Sequence, residues 1–447
     1  MAITRRYFFQ GSLLAGTVPL GGFGSVASLK ALGYKSPNEK LNIAAIGAGG
    51  KGYTDIVGCA SENIVALADP DDERGARGFK LHEKAPRYKD FRKMLDQELK
   101  NIDAVTVSTP DHMHGMAAMW AMSRGKHVYC QKPLTRTVWE ASELTKAAAK
   151  YGVATQMGNQ GYSNEGARQC AEMVWSGEIG QVNEVHAWTN RPVKYWPQGP
   201  DVIPKTSAAP STLDWDLWLG VAADRPFSSA YAPRTWRGFP DFGCGAIGDM
   251  ACHIMGTPNM ALRLTAPVSV ECIKQVGKGP HTFPQQAVIR FDFPARGAMG
   301  PVRVYWHDGL GEAPSFDGIP KGELIGDKDI NGSIFLGDKG MITTGCYGER
   351  TRLMPDARMK DYTMPAQSLT RSPGHYRDWI RAAKGGDPAC SNFSVAGPFV
   401  QWMLLGSIAM RYEGKLDWDN AAGRFTNNAE ANEWLKPKFR KGWHFVG

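Results

Sequence analysis

Between residues 40 and 160, short apolar runs alternate with amphipathic stretches, and each run gives way to glycine, acid or proline. Strands buried on both faces read as continuous apolar runs, whereas crossover helices repeat their apolar positions about every 3.6 residues. The alternation therefore predicts an α/β unit with a parallel, doubly wound sheet. Its strands fall at 41–46, 63–68, 102–108, 127–130 and 153–157. Helices are expected at 90–99, from His114 through Ala118 and Ala121, and at 138–151, the last stopped by Gly152.

Beyond residue 160 the pattern changes. A helix over 167–177 leads into strands from 182–190, 268–293 and 302–307, and 332–343 reads as a hairpin turning at Gly337-Asp338-Lys339-Gly340. Helix returns at 376–384 and 400–411, with Trp402 and Met403 as core. From 191 to 239 no period holds; prolines and Trp196, Trp215, Trp218 and Trp236 crowd an irregular stretch whose length is usually functional. Those tryptophans suit either packing the loop or offering flat apolar faces to sugar rings, with Lys194, Arg234 and Arg237 nearby to bond hydroxyls.

A chain of 447 residues exceeds one ordinary core and predicts two domains with extensions. We place a dinucleotide-binding domain at 40–160, a second domain at 161–420 and a C-terminal extension at 421–447. The formal charge of +8 is spread without a basic block, so nucleic acid is not the expected partner. Eight scattered cysteines with no CxxC pair give no disulfide framework and no zinc site, and we assign no metal. Residues 1–30 are set aside. Arg5-Arg6 precedes Tyr7-Phe8-Phe9, and 11–27 is glycine-rich, mildly apolar and too weak to span a membrane. This segment resembles a twin-arginine export signal, which implies a periplasmic or other extracytoplasmic location.

The candidate chemistry begins where the first strand breaks into Gly47, Gly49, Gly50 and Gly52, a G-x-G-x-x-G turn that brings backbone amides to a pyrophosphate. Asp69 follows about 20 residues later, at the end of the next apolar run, where a carboxylate takes the ribose 2′-hydroxyl and repels a 2′-phosphate. NAD is therefore expected rather than NADP. Thr109, Pro110 and His114 leave the 102–108 strand at its carboxyl end and should border the cofactor, with His114 structural or cofactor-lining. Lys132 is held before Pro133. Farther on, DFGCGAIGDMACH (241–253) puts Asp249 and His253 four residues apart, on one face of a helix, where the carboxylate would orient the imidazole and raise its pKa.

Together the glycine turn, Asp69, the S-T-P-x-x-x-H loop and Lys132-Pro133 resemble the Gfo/Idh/MocA family of sugar and cyclitol oxidoreductases, from about Leu41 to near the C-terminus. The resemblance implies an N-terminal Rossmann domain and a C-terminal α+β domain with a large open, mainly antiparallel sheet. One face of that sheet would cover the site, while the other would join subunits of a homo-oligomer, a dimer or tetramer, because a flat apolar sheet face does not stay wet. It also implies Lys132, Asp249 and His253 as the catalytic group, with Gln131 at the cofactor in place of the family's usual glutamate. Asn159, Tyr162, Arg191, Trp236 and Arg237 would face the substrate. The expected activity is hydride transfer at a secondary alcohol of a sugar, glycoside or cyclitol. Net glycoside hydrolysis through transient oxidation at C3, and a non-catalytic sugar- or dinucleotide-binding protein, stand as alternatives.

Overall fold

The computed structural model describes residues 39–446, so the expected export segment lies outside the described residues. Six strands form the first sheet: β1 (Asn42–Ile46), β2 (Asn63–Ala68), β3 (Arg87–Tyr88), β4 (Ala104–Val107), β5 (His127–Cys130) and β6 (Thr155–Met157). They run in parallel in the order β3-β2-β1-β4-β5-β6. The order reverses between β1 and β4, which opens a crevice beyond their carboxyl ends. Helices α1 (Lys51–Gly58), α2 (Asp72–Leu81), α3 (Phe91–Gln97), α4 (Asp111–Met122) and α5 (Val138–Tyr151) make the crossovers. Thr137 and Glu140 form a capping box at the start of α5, and Gly152 ends it in the left-handed conformation.

Helix α6 (Glu165–Trp175) leads to the second sheet, whose nine strands are β7 (Val182–Trp188), β8 (Ser269–Val276), β9 (Gln286–Phe293), β10 (Val302–Asp308), β11 (Gly332–Gly337), β12 (Gly340–Thr344), β13 (Arg352–Met354), β14 (Lys415–Asp419) and β15 (Arg424–Phe425). All described pairings are antiparallel except β7 with β10. Inward residues of β9 and β10, including Ile289, Phe291, Val304 and Trp306, are fully buried and join a core that continues into the first domain.

Two expectations change here. The outer face of the second sheet is not apolar: Arg290 pairs with Glu271 and Asp292, Arg303 pairs with Glu184, and His186 stacks on Tyr305. Ile273 and Val276 of β8 are exposed beside these groups, so the face is mixed in character. Nor do the domain limits follow the chain simply. Helix α7 (His375–Ala383) returns to the first sheet, where Trp379 and Ile380 pack with Leu41, Ile43 and Tyr129. Likewise β15 completes the second sheet and Trp443 packs against Phe91 of α3, so 421–447 is integrated into the fold. Helix α8 (Phe393–Ala409) is apolar all round, with Trp402 buried against Phe291 and Phe293, as a central core helix should be.

Candidate active site

A cleft of about 710 Å³ runs from the glycine turn to the 247–254 segment beside the second sheet. At its first end, Gly47 leaves β1 with φ of +89°, and a Cβ there would lie 2.6 Å from the Ser108 carbonyl oxygen. A Cβ on Gly49 would lie 2.2 Å from the Arg74 carbonyl of α2. Only glycine fits both places. Helix α1 starts at this turn with no side-chain cap and no acid in its first turn, so its amide end is open to an anion. The Asp69 carboxylate, at the end of β2, accepts from Ala48 N (2.9 Å) and Gly49 N (3.2 Å) on one oxygen and from Asp71 N (3.1 Å) on the other. Burial raises its pKa and the three amides oppose the rise. Asp69 thus fastens the glycine turn as well as lining the cleft. Gly52 lies behind the lining, where a Cβ would meet the Gly47 carbonyl at 2.1 Å.

Helix α4 begins at Asp111, three residues before His114, where the sequence suggested it starts. Thr109, Pro110 and His114 line the cleft. The His114 ring lies between the carbonyls of Pro133 (2.7 Å from Nδ1) and Thr109 (2.9 Å from Nε2), and burial pushes its pKa down to about 4. His112 turns elsewhere, into an aromatic group with Trp218 and Phe242. Beneath the turn, Gln131 donates both Nε2 bonds to the Asp55 carboxylate (3.0 and 2.9 Å), which also receives Ser108 Oγ, Tyr376 OH and Lys51. An amide rather than a glutamate therefore stands where it can donate to a buried carboxylate.

The other end is built of side-chain charge. Lys132 Nζ donates to Asp249 Oδ1 (2.7 Å) and to its backbone carbonyl (2.6 Å). Arg237 Nε reaches the same carboxylate at 3.1 Å, and Arg191 Nη1 takes its second oxygen. Burial opposes ionisation of Asp249, but Lys132, Arg237 and Arg191 hold its pKa well below the usual carboxylate range. The expected Asp249–His253 pair does not form. Residues Ile247–Ala251 make a π-helical turn before the short helix Cys252–Ile254, and the carboxylate is taken by three cations instead. His253 is not raised in pKa: burial, then Lys132, pushes it well below its ordinary value, and its ring packs edge-on to Tyr347 with Nδ1 buried and unpartnered among the described residues. The imidazole is neutral at physiological pH.

Trp236, Arg191 and Arg237 line this end as expected, together with Trp196 and Trp218. The tryptophan loop both lines the cleft and packs on itself, since Trp218 and Trp236 also sit in a small core with Phe227, Tyr231 and Phe242. Asn159 and Tyr162, expected to face the substrate, are buried and are not among the residues that line the cleft. Asn159 is fully buried between Ser391 Oγ (2.7 Å) and the Cys252 carbonyl (3.4 Å), and the Tyr162 hydroxyl meets Asn259. Both brace the segment carrying His253, a role hidden from the sequence because their partners lie far along the chain. Asp111 and Tyr347 were missed and both line the cleft. Asp111 accepts from Cys244 N (3.2 Å), and burial raises its pKa to about 7. It stands directly after Pro110 in the S-T-P-x-x-x-H loop, but nothing in the sequence marks it as buried beside Lys132.

Two models of one family match this chain: residues 41–159 fit "oxidoreductase family, NAD-binding Rossmann fold" and residues 168–278 fit its C-terminal α/β domain. Levoglucosan dehydrogenase of Pseudarthrobacter phenanthrenivorans is 22% identical over 48% of this chain and 50% of its own length. The 2,7-anhydro-N-acetylneuraminate hydratase of Escherichia coli is 27% identical over 21% of this chain and 26% of its own. The chain thus spans about half the length, or less, of these curated relatives. Among solved structures, an inositol dehydrogenase homolog of Azotobacter vinelandii, complexed with NADH and myo-inositol, superposes with a TM-score of 0.53 at 17% identity, covering 85% of this chain and 98% of that one. By fold, by glycine turn and by both family models, this chain belongs to the Gfo/Idh/MocA oxidoreductase family.

Proposed function

We propose that the protein is an NAD-dependent oxidoreductase acting on a secondary alcohol of a sugar, glycoside or cyclitol. One observation carries the reading: a lysine clamped to a buried carboxylate and a neutral histidine share a cleft with a glycine turn and its ribose-binding acid. Gly47, Gly49, Gly50 and the open start of α1 would hold the pyrophosphate, and Asp69 the adenosine ribose. When bound, NAD supplies a hydride acceptor.

Lys132 and Asp249 fix the substrate hydroxyl by donating and accepting hydrogen bonds. The neutral ring of His253 accepts the hydroxyl proton as the carbon loses hydride, and the nearby cations stabilise developing oxyanion character. Its depressed pKa keeps it unprotonated, and so able to accept, below pH 6.5. The relationship to the anhydro-sugar hydratase favours a second outcome at the same groups, in which oxidation is transient and the net change is addition of water. We further propose export through the Arg5-Arg6 segment and self-association; cell fractionation and light scattering test these separately.

Absorbance near 340 nm separates the readings. A lasting NADH band on adding sugars marks a dehydrogenase, and cleavage of a chromogenic glycoside without such a band marks transient oxidation. Absence of both across a sugar panel removes the enzyme reading. The Lys132→Ala and His253→Ala proteins should each lose about 10²-fold or more in kcat/KM; full turnover by either removes the role given to that residue.

A further inference from the structure

Resting on the hydride-transfer reading, we propose that the substrate is an acidic sugar whose carboxylate is bound by Arg191 and Arg237. Asp249 is a single carboxylate, yet Lys132, Arg191 and Arg237 all converge on it. Two positive charges remain in excess. A second acid in reach of Lys132 and Arg237, Asp111, is buried, and the cost of desolvating its charge favours the neutral form, so it offsets this excess only in part. Besides burial, the strongest influences on the Arg191 charge are Asp249 and the phenols of Tyr195 and Tyr347.

Each guanidinium also keeps donors in reserve. Arg191 uses Nη1 on Asp249, and Arg237 uses Nε on Asp249 and Nη1 on the Arg234 carbonyl (3.2 Å). That leaves Nε and Nη2 of Arg191 and Nη2 of Arg237 without an acceptor among the described residues, on side chains one-quarter to one-third exposed in the cleft wall. Their planes are held in advance, Arg191 over the Tyr195 ring at 4.1 Å and Arg237 over Trp236 at 4.3 Å. Preordered planar forks with unused donors match a planar carboxylate, and ordering them before binding removes an entropic cost. The cofactor's phosphates do not supply the missing charge, because the open start of α1 already provides for them. A neutral sugar closing over this end would desolvate two uncompensated cations, which the site disfavours. The exposed Arg234 adds to the same bias.

The test uses the full protein loaded with NAD. Titration calorimetry compares the methyl glycosides of glucuronate and galacturonate with those of glucose and galactose, and with glucose 6-phosphate, at low and high salt. At least one uronide should bind roughly tenfold or more tightly than its neutral counterpart, with the advantage shrinking as salt rises. Arg191→Met and Arg237→Met, each confirmed folded by its melting curve, should lose that preference, the uronide losing roughly tenfold more affinity than the neutral glycoside does. Equal or tighter binding of the neutral sugar, tighter binding of the phosphate, or no binding of either uronide overturns the proposal. Reduction of NAD by neutral glycosides alone would overturn it while leaving the oxidoreductase reading intact. Uronide binding with neither NADH formation nor bond cleavage would remove that reading, and with it the claim that the acidic sugar is a substrate.

Discussion

At the cofactor end of the cleft the binding groups are backbone amides from one contiguous turn, fastened by Asp69; at the substrate end they are side-chain charges from four distant segments, around Lys132, Arg191, Arg237 and Asp249. The first kind of site is specified by where glycine must stand, since a Cβ at Gly47, Gly49 or Gly52 would collide with backbone. The second depends on a balance of burial and charge that exists only once both domains have packed. Damage should accordingly be steric and local at the first end, and electrostatic and shared at the second.

The sharpest break of the second end is Asp249→Ala. It leaves three cations facing one another in a largely buried place, so kcat/KM should fall by about 10³-fold and the melting temperature should drop as well. The folded-state pKa of Asp249 is depressed, so its contribution to stability is complete above the unfolded value of about 4 and is lost only as pH falls through the folded one. The deficit of the variant should therefore be constant between pH 6 and 8. A deficit that vanishes within that window would show that the clamp is not ionic.

Asp111→Asn tests the same end from the other sign. Its folded pKa of about 7 lies above the unfolded value of about 4, so the wild-type protein loses stability as pH rises between the two and then levels off. Asparagine has no such loss. The variant should match wild type near pH 4 and gain, by melting curves, roughly 2–4 kcal/mol relative to it at pH 8. Equal stability at pH 8 would mean that Asp111 is better solvated or better paired than its burial implies.

What could be read in the chain follows the same division. The glycine turn, Asp69, five parallel strands and the hairpin turning at 337–340 are local patterns, and each was placed within a few residues. Lys132, Arg191, Trp236, Arg237 and Asp249 line one cleft; the tryptophan-rich stretch marked Trp236 and Arg237 locally, and the others were brought there chiefly by family resemblance. Local spacing misled at His253, where the i,i+4 rule assumed an α-helix and the chain makes a π-turn. It was silent on Asn159 and Tyr162, whose burial depends on Ser391 and Asn259, and on Asp111, whose environment is supplied by Lys132, Cys244 and Arg237.

At the first end, Gly49→Ala sets a methyl against the Arg74 carbonyl and should displace the turn from α2. NAD affinity should weaken roughly 10- to 100-fold, while sugar binding to NAD-saturated protein changes less than about twofold. Equal losses at both ends would show that the turn and the charge clamp are one cooperative unit, and would erase the distinction drawn between them.

The smallest effect tests whether that distinction holds beneath the turn. Gln131→Glu restores the family's usual residue, but here it would set a carboxylate where an N–H now donates to Asp55 at 2.9–3.0 Å. Two buried carboxylates at that spacing cannot both be ionised at little cost, so one would retain a proton. Holding that proton becomes harder as pH rises, so the variant should lose about 1–2 kcal/mol at pH 8 and less at pH 5, with NAD affinity falling in parallel because Asp55 also fixes Ser108 and Lys51. Adding Asp55→Asn to Gln131→Glu supplies a donor to the new carboxylate and should recover most of the loss; a double variant no better than the single would show that residue 131 acts on the cofactor directly and not through Asp55.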